Sequence, residues 1–158
     1  MDVYLIRHAV AELRRPDLPD HERALTPEGR ERFEKVVDGL DRLGVSLDRV
    51  YHSPWRRAVE TAEMAADLAD GNLEPHPGLA GNPNEDLLAS LHGDSVALVG
   101  HEPWMSELLA WLVTGDSGAA SGHVMKKGGV AWLRGEPLPG GMELRALIPP
   151  KVFRELVG

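Results

Sequence analysis

Short apolar runs alternate along the chain with longer stretches in which apolar residues recur every three or four positions. The first run, Val3 to Ile6, is nearly continuous, as is typical of a strand buried on both faces of a sheet. Similar runs predict four further strands, at 48–51, 95–99, 130–133 and 144–147. The last two are compatible with an antiparallel edge of the sheet.

Helix signals fill the intervals between these runs. Thr26-Pro27 reads as an N-cap followed by proline at the first helical position, and Gly44 predicts the end of that helix. Ser53-Pro54 repeats the signal before an alanine-rich helix. Further helices are expected at 84–91, from Pro103 to Leu112 and after Pro149-Pro150, with loops at 9–25, 71–83 and 115–122.

The alternation of strands and helices predicts an α/β fold. We expect a single domain over residues 1–158, built as a three-layer sandwich with a mostly parallel sheet and helices on both faces. A chain of this length buries roughly 70% of its unfolded surface, enough for a substantial core. Ligands of such sheets bind beyond the carboxyl ends of the strands.

Composition excludes several classes of protein. There are 17 Lys and Arg against 25 Asp and Glu, a net charge of -8, and no cysteine. The missing cysteine excludes disulfides, thiolate metal sites and cysteine-nucleophile phosphatases. The acidic balance argues against a nucleic-acid partner. No apolar run approaches the roughly 20 residues that span a bilayer, and the N-terminus lacks signal-peptide character, so no membrane association and a cytoplasmic location are expected.

The charge is distributed unevenly. Residues 61–110 contain nine Asp and Glu but no Lys or Arg. We expect these acids to lie mainly on the helix that follows Arg57 and on the loop beyond it, away from the phosphoryl oxygens. The sequence therefore predicts a small basic pocket within an acidic surface, which would repel free polyanions.

Ionisable side chains follow three of the predicted strands. Arg7-His8 ends the first strand, Arg57 lies in the first helical turn after the second, and His101 follows the strand at 95–99. If these strands are parallel, two guanidiniums and two imidazoles meet at one edge of the sheet. Guanidiniums match phosphoryl oxygens and an imidazole can attack phosphorus, so the pattern indicates phosphoryl chemistry.

The sequences of these segments resemble those of the histidine phosphatase superfamily. LIRHA at 5–9, SPWRRAVET at 53–61 and VGHEP at 99–103 are similar to its signature segments. The short length, the D-x-x-R-x-L-T segment at 20–26 and the closing segment 127–151 resemble SixA-type phosphohistidine phosphatases in particular. The resemblance covers nearly the whole chain and implies the phosphoglycerate mutase-like fold.

The resemblance implies a role for each matching residue. His8 aligns with the nucleophile that becomes phosphohistidine, Arg7 and Arg57 with the arginines that hold the phosphoryl oxygens, and His101 with the second histidine. Arg23 is a candidate for substrate binding or for a salt bridge to Asp20. Arg56, by contrast, is expected to be solvated. No metal-binding or nucleotide-binding motif is present, so no metal or other cofactor is expected.

The sequence departs from the superfamily where phosphomonoesterases carry a general acid. Glu85 and Asp86 are better explained as first-turn acids of the next helix. An alkoxide leaving group benefits from a proton donor, whereas a phosphorylated imidazole needs less help. This favours phosphohistidine on a protein as substrate. The alternatives are a phosphatase of small phosphomonoesters, for which Glu12, Glu85 or Glu102 could supply the acid, and a non-catalytic module that binds phosphorylated ligands.

Overall fold

The computed structural model describes residues 1–158 and contains one six-stranded sheet with five α-helices. The strands are β1 (Asp2–Arg7), β2 (Arg49–His52), β3 (Leu73–Pro75), β4 (Ser95–Gly100), β5 (Val130–Gly135) and β6 (Met142–Ile148). The helices are α1 (Pro27–Arg42), α2 (Arg56–Met64), α3 (Glu85–Ala89), α4 (Trp104–Thr114) and α5 (Pro150–Val157). No helix is both long and apolar enough to cross a bilayer.

The strand order is β3-β2-β4-β1-β5-β6. β1, β2, β3 and β4 are parallel neighbours, whereas β5 and β6 are antiparallel. One apolar core lies between the sheet and helices α1, α2 and α5, and a second lies on the opposite face against α3 and α4. The predicted three-layer α/β sandwich with an antiparallel edge is therefore confirmed.

Helix boundaries follow the sequence signals at α1 but not at α2. Thr26 caps α1 by accepting a hydrogen bond from the Gly29 amide at 2.9 Å. The helix predicted at Ser53-Pro54 begins only at Arg56, because the Ser53 hydroxyl accepts from the Trp55 amide and contacts His101 instead of capping the helix.

The segment 115–122, which was expected as a loop, is largely a 3₁₀ helix from Ser117 to Gly122. Gly115 ends α4 in the left-handed region with φ 80°, and the Asp116 side chain then accepts from the Gly118 amide at 2.8 Å. Small residues without apolar periodicity gave no signal for this turn. Three more 3₁₀ helices lie at 20–22, 66–69 and 77–79.

The parallel strands bring the predicted site residues to one edge of the sheet. In the register of β1 with β4, Arg7 lies beside Gly100, and in that of β2 with β4, His52 lies beside Val99. The residues that follow these strands therefore emerge side by side at the carboxyl edge. This edge is where ligands of parallel sheets bind.

Candidate active site

A pocket of about 270 Å³ opens at the carboxyl edge of the parallel strands. Its walls come from the loop after β1, the first turn of α2 and the residues that follow β4. The lining residues are Arg7, His8, Ala11, Glu12, Leu13, Arg14, Arg23, Arg57, His101, Glu102 and Lys127. Five cationic side chains and two carboxylates thus share the pocket.

His8 is held with one ring nitrogen ready to act as a base or nucleophile. Its side chain is buried, and its Nδ1 donates to the Ala9 carbonyl at 2.7 Å. A carbonyl can only accept, so Nδ1 carries the proton and Nε2 carries the lone pair. That nitrogen accepts from Arg57 Nε at 3.3 Å. The imidazole is therefore neutral, fixed in one tautomer and turned towards a guanidinium.

Both histidines of the pocket resist protonation. Burial, reinforced by His101 and nearby guanidiniums, lowers the pKa of His8 from 6.5 to about 3, although the bond to Ala9 acts in the opposite direction. Burial and then Arg57 lower the pKa of His101 to about 3 as well. A phosphoryl anion beside His101 would raise that pKa again, because an opposite charge favours the protonated ring.

Arg57 is fixed by Asp20, a residue that sequence reasoning considered only as a partner for Arg23. Arg57 is 3% exposed and donates to the Asp20 carbonyl at 2.7 Å and to its carboxylate at 3.2 Å. Partial burial opposes the charge on Asp20, but Arg57 and Arg23 outweigh it and lower the pKa of that carboxyl. The face of the Trp55 ring, 4.9 Å from the guanidinium carbon, also supports Arg57.

His101 is oriented by Ser53, whose contact the sequence signals did not predict. His101 Nε2 lies 2.7 Å from Ser53 Oγ, and that oxygen already accepts from the Trp55 amide. Ser53 is fully buried and its hydroxyl proton has no other acceptor, so that proton goes to Nε2, which leaves the ring proton on Nδ1. This Nδ1 is buried and has no hydrogen-bond partner, and neither has the Nε of Arg7.

The two unpaired donors identify what the pocket can receive. A buried donor without an acceptor costs about 1–3 kcal/mol. Arg7 Nη1 donates to the Met125 carbonyl at 2.8 Å, so its Nε is held in place by the rest of the guanidinium. An anion with several oxygens, such as a phosphoryl group, would satisfy Arg7 Nε and His101 Nδ1 together.

Backbone contacts hold the loop that carries His8. The Ala9 amide donates to Thr61 Oγ1 at 3.0 Å, and the Thr61 hydroxyl donates to the Arg57 carbonyl at 2.7 Å. The Gly128 amide approaches the carbonyls of both Arg7 and His8, and Gly128 has φ 77°, a conformation that favours glycine. His8 and Arg57 are therefore positioned through one connected network.

The other cationic side chains near the site differ in their positions. Arg23 bonds Asp20 at 2.9 Å, as expected for a salt bridge, and it also lines the pocket, where a role in substrate binding stays a prediction. Lys127 reaches the pocket, where burial and three neighbouring guanidiniums lower its pKa. Arg56, as expected, lies outside the pocket and pairs with Glu60 at 3.2 Å. Arg7, His8, Arg57 and His101 are brought together, and their catalytic roles remain predictions.

Two carboxylates in the wall bear on the missing general acid. Glu102 Oε1 accepts from the Ser106 amide at 2.9 Å, and its Oε2 lies 2.5 Å from the Ser106 hydroxyl, which also lies 2.6 Å from the His123 carbonyl. Glu12 accepts only from the Ala24 amide, at 3.4 Å. Glu102 belongs to the acid-rich stretch that was expected to lie away from the pocket, so that prediction is wrong for this residue. Nothing groups three or more His, Asp or Glu side chains in a metal-binding arrangement.

The histidine geometry predicts a specific pH response. Because the native pKa of His8 is about 3, its ring should stay neutral, with the proton on Nδ1, as pH falls from 7 to 4. NMR titration of the ring nitrogens of His8 tests this directly. A cationic ring at pH 6, or a proton on Nε2, would contradict the proposed nucleophile.

The lowered pKa values of His8 and His101 should also make the free energy of unfolding depend on pH. The unfolded chain protonates His8 and His101 near 6.5, whereas the native state resists down to about 3. The unfolded state therefore binds more protons in this window, and the free energy of unfolding should decrease as pH falls from 6.5 towards 3.

Comparison with known proteins agrees with this geometry. The profile of the histidine phosphatase superfamily (branch 1) matches residues 3–81. An uncharacterized protein of Picosynechococcus sp. is 34% identical over 148 residues, which cover 85% of each chain.

Solved structures share the fold over nearly the whole length. The protein histidine phosphatase SixA in complex with tungstate has a TM-score of 0.80 at 23% identity, covering 96% of this chain and 99% of its own. A candidate phosphohistidine phosphatase SixA of Agrobacterium tumefaciens has a TM-score of 0.75 at 25% identity, covering 94% and 97%. The fold is shared by an alpha-ribazole phosphatase of Shigella flexneri, with a TM-score of 0.71 at 18% identity over 95% and 97% of the two chains.

Proposed function

The chain belongs to the histidine phosphatase superfamily, and on that premise we propose that it removes phosphate from phosphohistidine carried on a protein, through a phosphoryl intermediate on His8. The observation that carries this proposal is the neutral His8 ring, with its Nε2 lone pair in a pocket of guanidiniums. A neutral imidazole beside fixed cations is the arrangement that in-line attack on phosphorus requires.

In the first step, His8 Nε2 attacks phosphorus while the bond to the leaving group breaks on the opposite side. The leaving group keeps the electron pair of that bond. Arg7, Arg57 and the Nδ1–H of His101 hold the equatorial oxygens as their charge changes. In the second step, water attacks the phosphoryl group, phosphate departs, and His8 regains its lone pair.

The chemistry of the leaving group favours phosphohistidine as the substrate over a phosphate ester of an alcohol. A protonated imidazole departs as a neutral ring, whereas an alkoxide needs a positioned acid. Oε1 of Glu102 accepts from the Ser106 amide and its Oε2 contacts the Ser106 hydroxyl, so both oxygens are already engaged within the protein. Such a carboxylate orients its neighbours better than it donates a proton.

The mouth of the pocket also suits a protein substrate. Leu13 lies on the pocket wall with 84% of its surface exposed, beside the exposed Arg14. Exposed apolar surface next to an arginine, a residue that is enriched at protein interfaces, is suited to contact with another protein.

Glu12 supports a second candidate function, hydrolysis of small phosphomonoesters. It lines the pocket, and only one of its carboxylate oxygens accepts a hydrogen bond, from the Ala24 amide. Its other oxygen could protonate a departing alkoxide.

The two candidate functions can be distinguished by measuring the turnover of phosphohistidine and of phosphomonoesters by the wild-type protein and by Glu12→Gln. We expect kcat/KM to be higher for a phosphohistidine protein, and Glu12→Gln to change that value little. For an alkyl phosphomonoester cleaved with Glu12 as the acid, the variant should lose about 10²–10⁴-fold.

An aryl phosphate, whose leaving group needs no acid, provides the control. Its turnover, measured with a chelator present, should persist in both proteins. Preferred cleavage of an alkyl phosphomonoester that depends on Glu12 would overturn the phosphohistidine proposal. Binding of phosphate without any turnover would instead favour the non-catalytic module.

A further inference from the structure

A second concave site adjoins the active pocket. This cleft, of about 360 Å³, lies between α1, the segment 126–128 and the start of α5. Its floor is apolar and tightly packed, with Ala9, Phe33 and Val36 all buried. No Asp or Glu lines it. The volume lies in the range of ordinary ligand sites.

The rim of the cleft is basic in a chain that is acidic overall. It carries five of the 17 Lys and Arg side chains, namely Arg32, Lys126, Lys127, Lys151 and Arg154. Arg32 pairs with Glu28, and Lys151 lies 3.6 Å from Glu155. The other three side chains make no ion pair with a carboxylate. The cleft therefore concentrates uncompensated positive charge.

The cleft is continuous with the active pocket. Lys127 lines both concavities. Ala9, on the floor of the cleft, directly follows His8, and the Gly128 amide contacts the Arg7 and His8 carbonyls. A chain whose phosphorylated residue occupies the pocket would therefore have its neighbouring residues beside the cleft.

We propose that this cleft, defined by Arg32, Lys126, Lys127, Lys151 and Arg154, binds an acidic peptide segment that flanks the phosphorylated residue of the protein substrate. The proposal rests on the proposed function, which supplies a phosphoprotein. Carboxylates of the segment would pair with Lys126 and Arg154 while its apolar atoms cover the floor. The basic surface is thus wider than the small pocket that the sequence predicted.

An acidic peptide fits the cleft better than a nucleic acid does. A nucleic acid needs phosphate contacts along an extended basic track. Here the cations surround one cleft, and the net charge of -8 would repel a long polyanion at a distance. A short segment with a few carboxylates avoids most of this repulsion.

The proposal is tested by comparing two matched peptides on the wild-type protein and on the double variant Lys126→Ala/Arg154→Ala. The double variant keeps Lys127, because Lys127 also lines the active pocket. One peptide carries aspartates on both sides of a central histidine, and the other carries asparagines. Fluorescence anisotropy measures binding of the unphosphorylated forms, and kcat/KM is measured for the phosphohistidine forms. The wild type should favour the acidic peptide by about three- to tenfold in both, as expected for a few exposed charge pairs.

The double variant should lose this preference for the acidic peptide. Arg42→Ala, which removes an exposed cation of α1 outside the cleft, should keep it. Equal binding of the two peptides by the wild type, or a ratio that survives in the double variant, would overturn the proposal. So would stronger displacement of the acidic peptide by an oligonucleotide than by unlabelled peptide. Failure to hydrolyse either phosphorylated peptide would count against the proposed function, while anisotropy would still decide the role of the cleft.

Discussion

Replacing His8 with alanine should abolish phosphate release from every substrate. The variant removes the Nε2 lone pair that Arg57 contacts, and no other neutral nitrogen in the pocket is free to attack. His101 cannot substitute, since its Nε2 is engaged by Ser53. Loss of a nucleophile typically costs more than about 10⁴-fold in kcat. Initial rates on an aryl phosphate and on a phosphohistidine protein measure this loss.

His8 is buried, so the variant must also be shown to fold. Thermal unfolding and circular dichroism serve this purpose, and His8→Asn offers a second replacement of similar size. His92→Ala, which changes a histidine away from the pocket, should keep wild-type activity. If folded His8→Ala retained turnover near that of the wild type, His8 would not be the nucleophile.

Replacing Arg57 with alanine should produce the next largest loss. The variant removes a donor to the phosphoryl oxygens, and it also leaves the Asp20 carboxylate with only Arg23 and Arg14 as cationic partners. The less compensated carboxylate would repel a phosphoryl anion. Removal of one preorganised donor costs about 10²–10³-fold in kcat, and the repulsion should weaken binding of phosphate in addition. Turnover and the inhibition constant for phosphate or vanadate separate the two effects.

Arg56→Ala is the matched control, because it removes the adjacent guanidinium, which pairs with Glu60 outside the pocket. We expect this variant to retain activity within a few-fold. Asp20→Asn combined with Arg57→Ala should recover part of the lost phosphate binding, since it removes the repulsive charge. Equal losses in Arg56→Ala and Arg57→Ala would indicate general destabilisation and contradict a specific role for Arg57.

The site residues that could be predicted are those placed by regular structure. Arg7, His8 and His101 directly follow or end parallel strands, and strand register brings such positions together without any detail of the loops. Arg57 is placed by the helix that follows β2. Apolar runs and proline signals are local features, so they can be recognised in a single sequence.

The contacts that could not be predicted come from irregular segments. Glu12 lies in the loop after β1, Asp20 begins the short 3₁₀ helix at 20–22, and Lys127 lies in the turn before β5. Their positions depend on tertiary contacts, such as the Glu60 carboxylate that accepts from the Leu25 amide at 2.7 Å. The periodic pattern of apolar residues in the sequence does not indicate such contacts.

Ser53 shows how one signal can conceal another. Serine before proline is a common helix start, and that explanation accounted for the residue completely. Its hydroxyl instead sets the tautomer of His101, which is a contact between two strand ends. Only the position of this serine in the SPWRRAVET segment, at the edge of the sheet, could have suggested the contact.

The central claim is that the phosphoryl group passes through His8, and trapping the intermediate tests it most directly. The protein is mixed with a phosphorylated substrate, quenched rapidly in base, digested and examined by mass spectrometry. The account predicts one phosphoryl group on the peptide that contains His8, stable in base, lost in acid and missing from His8→Ala. An acid-stable adduct, an adduct on another residue, or turnover with no adduct on His8 would contradict it.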